Sequence, residues 1–143
     1  MAVRKYSVKK RRSKEYMYKE ISIIIIVIAL ILFLDVITNN YTTYAADTLS
    51  ENLNNLREHI MVKNEKEIDN KIKEIEDTWH NYHEVLAYYI EHDELEKVET
   101  ELTTLKGSLE VKEYEHCIEN LDTTIFILEH IKDKERFSIQ SIF

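Results

Sequence analysis

Two rhythms of apolar residues divide the chain. From Ile21 to Leu34 every residue except Ser22 is apolar, and Val36 and Ile37 beyond Asp35 extend the run. About 17 such residues is the lower limit for crossing a hydrocarbon layer, and at ~1.5 Å per residue they make a helix of about 25 Å. Asp35 stands near one end, where a side chain can reach headgroups, so it does not forbid insertion.

After this run the apolar residues recur by threes and fours, the period of one helix face. Leu49, Leu53, Leu56 and Ile60 form a first stripe, started by Thr48 and Glu51 at capping-box spacing. The polar stretch 63–67 separates it from a second stripe, Ile68, Ile72, Ile75, Trp79, Tyr82, Leu86 and Tyr89, with Asn64 and Glu67 as its cap and an end near Ile90. Ile90-Glu91-His92-Asp93-Glu94-Leu95 reads as a junction, with Asp93 and Glu96 capping the next helix. Leu95, Val98, Leu102 and Leu105 make the third stripe, and Gly107 is expected to end it in the left-handed terminal conformation. The fourth begins near Ser108 and carries Val111, Tyr114, Ile118, Leu121, Ile125, Leu128 and Ile131. The final residues, 137–143, alternate apolar and polar and are expected to lie back on the bundle.

Stripes joined by short polar connections leave water by facing one another. The expected fold is therefore all-α: an N-terminal transmembrane helix followed by a small antiparallel helical bundle of three to four helices. The divisions are a basic tail over 1–20, a transmembrane helix over 21–37, a linker over 38–47, a bundle over 48–136 and a tail over 137–143. The first stripe either joins the bundle or pairs with a second copy as a short coiled coil.

Composition supports long helices, because one Gly and no Pro leave few turn or strand breakers. A single cysteine, Cys117, excludes an intramolecular disulfide, so the domain is held by its core. Residues 1–20 hold eight Lys/Arg against two Glu, net +6; with −8 overall, the remainder carries −14. So acidic a domain repels polyanions, which excludes nucleic acid as its partner.

The basic cluster lies on one side of the apolar run, and tyrosines flank it at Tyr16, Tyr18, Tyr41 and Tyr44. By the positive-inside bias this predicts a cell-membrane, single-pass protein with a cytoplasmic N-terminus and an extracytoplasmic C-terminal domain, the lipid bilayer being its first partner. The basic segment also suits anionic lipid. Thr43-Tyr44-Ala45 offers a rival reading, a signal peptide cleaved after Ala45, although the stretch before it is long and polar for such a site.

Trp79, the Ile90–Leu95 stretch, the heptad-like leucines around it and the terminal Ser141-Ile142-Phe143 together resemble a family of short bacterial proteins named as domain of unknown function 4363. The resemblance implies a single-pass envelope protein without an assigned activity. It also suggests a multi-pass membrane protein as partner.

For chemistry, His80, His83 and Glu84 share a helical face at metal-ligand spacing, and His92 follows at the junction. In the frame set by Trp79 and Tyr82 they flank the seam, so a solvated face is the simpler reading and no metal or other cofactor is expected. His116 and His130 stand 14 residues apart on the last helix, in no zinc signature. No nucleophile motif or phosphate loop is present, and an enzyme is not expected. Tyr88 and Tyr89 are adjacent and cannot both face one core, which makes them, with His92, Asp93 and Glu94, the candidate partner contacts. The functional expectation is an interaction or accessory subunit of another envelope protein. The alternative is a bundle that senses a small ligand, an ion or pH, or binds metal weakly; homo-oligomerisation is compatible with either.

Overall fold

A computed structural model of the chain describes residues 2–140, with side chains for residues 17–136. The side chains of the basic cluster before residue 17, Tyr16, and the chain beyond residue 140 lie outside the described residues. Four helices and no strands occur among the described residues: α1 (Ala2–Met61), α2 (Glu65–Leu86), α3 (His92–Glu110) and α4 (Tyr114–Gln140). The chain divides into two compact units, residues 1–37 and 38–143.

In the first unit the apolar run of α1 has no cover. Ile21, Ile23 to Ile28, Leu30, Ile31, Phe33 and Leu34 are all exposed, and this helix is long and apolar enough to cross a membrane.

The second unit is an all-α bundle in which each helix lies beside the helices before and after it in a ring. Arg57 and Asp47 of α1 pair with Asp122 and Lys132 of α4, so a step of ten residues along one helix retreats ten along the other. That is antiparallel packing. Trp79 and Glu76 of α2 reach Glu99 and Lys106 of α3. Ser108 and Glu94 of α3 meet Asn120 and Lys134 of α4, and Tyr41 and Tyr44 of α1 meet Tyr82 of α2. Every sequential pair is antiparallel, as short connections require.

The four stripes fill the centre. Leu49, Leu53, Leu56 and Ile60 are buried with Ile68, Ile72, Ile75, Trp79 and Leu86, with Leu95, Val98, Leu102 and Leu105, and with Cys117, Leu121, Leu128 and Ile131. The first stripe thus joins the bundle of its own chain. Two threonines are buried within this core, and the hydroxyl of Thr124 is satisfied by donating to the Asn120 carbonyl at 2.7 Å.

Helix boundaries depart from expectation in several places. Residues 38–47, expected as a linker, are helical, and Thr42, Ala45 and Ala46 are buried. Their small side chains let α1 pack closely without a long apolar stripe. Gly107 lies inside α3 without a positive φ, and α3 continues to Glu110. Val111, expected at the core, is exposed at the turn and α4 starts only at Tyr114.

The left-handed positions fall instead on Lys63 and Lys112, with φ of 53° and 58°. Asn64 N–H donates to the His59 carbonyl and Glu113 N–H to the Ser108 carbonyl, while Lys63 and Lys112 N–H donate to Ile60 and Leu109. These are Schellman closures, in which the backbone geometry is set by hydrogen bonds and needs no glycine. At the next junction α2 stops at Leu86 and residues 87–90 form a turn. Asn64 and Glu91 occupy the N-cap positions without side-chain capping bonds, which places Asp93 within the first turn of α3. An acidic residue there still faces the positive end of the helix dipole.

Candidate functional site

The α2–α3 turn concentrates the residues expected to meet a partner, and the fold sorts them. Tyr88 is 90% exposed, whereas Tyr89 turns inward against α1. The Thr42 hydroxyl donates to the Tyr89 hydroxyl at 3.2 Å, which donates to the Thr38 carbonyl at 3.4 Å. The Thr42 oxygen also lies 3.0 Å from that carbonyl. Burial pushes the Tyr89 hydroxyl above its ordinary pKa, against a smaller opposing effect of the Thr42 hydrogen bond. His92 and Asp93 are exposed. Glu94 is buried, with one oxygen 3.5 Å from Lys97 Nζ and the other 3.6 Å from Lys134 Nζ. Its Oε2 makes no hydrogen bond. Tyr88, His92 and Asp93 are thus available to a partner, while Tyr89 and Glu94 serve the bundle itself.

Around Tyr82 the rings of Tyr41 and Tyr44 stand edge-on at 6.0 and 6.2 Å, with interplanar angles of 83° and 85°. Edge-to-face pairs of this kind add roughly 0.5–1.5 kcal/mol beyond area burial. Burial pushes the Tyr82 hydroxyl up, and a hydrogen bond with Thr48 opposes the shift. Tyr44 nonetheless remains 63% exposed. Sequence spacing marks Tyr41 and Tyr44 as flanks of the apolar run but carries no sign of their contact with Tyr82, because contacts between helices depend on register.

The histidines expected to flank the α2 seam do so. His80 is exposed, 3.7 Å from Glu84, and His83 packs its ring against Trp79 at a centroid distance of 5.5 Å. Together with His92, Glu96 and Glu99 of α3 they line an open groove of about 530 Å³. The groove has a structural floor, since Trp79 Nε1–H donates to Glu99 and Lys106 neutralises Glu76 at 2.7 Å. Among the described residues no three His, Cys, Asp or Glu side chains are grouped closely enough to hold a metal ion. His116 faces Glu119 at 3.2 Å on the outer side of α4.

Cys117 is fully buried, and burial raises its thiol above the ordinary pKa, the opposite of what a reactive cysteine needs. The ion pairs Lys132–Asp47, Lys134–Glu91 and Lys112–Glu65 raise the lysine pKa values through hydrogen bonding to the carboxylates. They fasten neighbouring segments of the bundle to each other, and Lys112 also lines an open depression with Lys63, Tyr114 and His116.

No curated protein and no solved structure matches the chain. A domain of unknown function, DUF4363, matches residues 36–142, which cover the whole four-helix unit from the end of the apolar run onward. The chain therefore belongs to the DUF4363 family.

Proposed function

We propose that this is a single-pass membrane protein of the bacterial envelope, with its N-terminus in the cytoplasm and its bundle outside. In this reading the bundle is a non-catalytic accessory subunit of another envelope protein, a multi-pass membrane protein being the partner of choice. The observation that carries the reading is an apolar helical run left uncovered over its whole length, joined to a bundle whose interior is filled with side chains. The basic residues on one side of that run support the orientation. Cleavage after Ala45 would cut α1 between two alanines buried in the core, which favours a retained anchor.

His92 and Asp93, exposed on the first turn of α3, are the proposed protein contacts. A photoreactive residue at either position in the full-length chain, in its native cells, should capture one integral membrane protein repeatedly. A residue at Thr104, exposed further along α3, should not. Equal capture at all three sites, or none at His92 and Asp93, would remove the accessory-subunit reading.

A further inference from the structure

Tyrosines are unevenly distributed over the bundle. Five of its six, Tyr41, Tyr44, Tyr82, Tyr88 and Tyr89, gather at the end that contains Thr38, and only Tyr114 lies at the other. Thr38 is bonded directly to Ile37, the last residue of the apolar run. If that run spans a bilayer, as proposed above and as this inference requires, Thr38 sits at the edge of the hydrocarbon.

The α2–α3 turn is fastened to the same point, because the Tyr89 hydroxyl donates to the Thr38 carbonyl. Tyr88 is its covalent neighbour, about 3.8 Å away between Cα atoms. Along α1, Tyr41 and Tyr44 stand only about 4.5 and 9 Å beyond Thr38 at ~1.5 Å per residue. The headgroup layer is about 5–8 Å thick on each side of the hydrocarbon. By that measure Tyr44 stands at the outer edge of the layer, and the exposed side chains at this end, Tyr44, Val85 and Tyr88, can reach back to it.

We propose that this end of the bundle rests on the lipid headgroup layer, with Tyr88 as its principal contact and Tyr44 and Val85 beside it. Tyrosine suits the place, since its ring leaves water while its hydroxyl stays hydrated. The surrounding charges choose the lipid. Glu84, Glu91 and Asp93 are exposed near Tyr88, and among these described residues Glu91 alone is paired with a lysine, Lys134 at 2.8 Å. Lys97 and Lys134 offset part of this charge, and the acidic excess that remains repels anionic headgroups and tolerates zwitterionic ones.

The test is nitroxide labelling of the full-length protein in phosphatidylcholine vesicles, with Tyr88→Cys, Met61→Cys and Ile25→Cys made singly. Cys117 is buried and does not compete for label. Met61 is exposed at the α1–α2 turn and Ile25 lies inside the apolar run. The ratio of collision with oxygen to collision with a water-soluble nickel chelate reads depth. The expected result is a high ratio at residue 25, a low one at 61, and one several-fold above that of 61 at residue 88. A deep Ile25→Cys label with an aqueous Tyr88→Cys label would overturn the docking and leave the membrane reading standing. An aqueous Ile25→Cys label would overturn both. Protection of residue 88 in native membranes but not in pure lipid would identify a protein contact and also overturn it.

Discussion

Gly107 stands inside α3, and a Cβ added there meets nothing within 4 Å. Gly107→Ala should stabilise the bundle by about 0.5–1 kcal/mol, since a helix-interior glycine costs that much in backbone freedom. A raised urea midpoint with an unchanged slope would show it. The residue scale also sets an alkaline limit. The hydroxyls of Tyr82 and Tyr89 have folded-state pKa values above the ordinary one, chiefly through burial. Their contribution is complete below the unfolded-state value of about 10 and is lost as pH rises through the folded-state values. The raised Lys132 works in the same direction, through its bonds to Asp47 and Glu129. Unfolding temperature should therefore fall as pH rises from about 9 to about 11, around the ordinary tyrosine value, and less steeply in Tyr89→Phe. A flat profile in the wild type would refute the assignment.

Among elements, the core stripes and the turns behave oppositely under substitution. Leu53→Ala, at a fully buried position of α1, should cost roughly 2–5 kcal/mol. Tyr88→Ala should change folding stability by no more than about 0.5 kcal/mol, because the side chain touches little. Chemical denaturation of both variants separates the two. The burial of Cys117 on α4 gives an independent readout: its thiol should react with an aromatic disulfide reagent only as fast as the bundle opens, and at once in denaturant. Apolar spacing alone makes the stripes of α1 to α4 legible, from Leu49 to Ile131, with Val111 as an exposed exception. The helix ends are not legible in the same way. Gly107 reads as a terminator because glycine tolerates left-handed backbone, yet hydrogen bonds impose that conformation on Lys63 and Lys112. Local propensity of ~1 kcal/mol yields to tertiary packing of this size.

For the whole molecule, the start of the bundle lies at Thr38 and not at the capping-box pair Thr48 and Glu51. A fragment of residues 38–143 should be helical and unfold in one cooperative step. A fragment beginning at residue 48 should be less stable, because it loses buried Thr42, Ala45 and Ala46 and the partners of Tyr89. Circular dichroism on heating both fragments decides this. The amino-acid sequence by itself determined the all-α class, the apolar run and the core stripes, since each depends on spacing within one segment. Only the tertiary structure decided that the supposed linker is core helix, that Tyr88 faces out while Tyr89 and Glu94 face in, and that five tyrosines share one end. Those outcomes depend on which residue of one helix lies beside which residue of another, and periodic stripes permit several such registers until packing selects one.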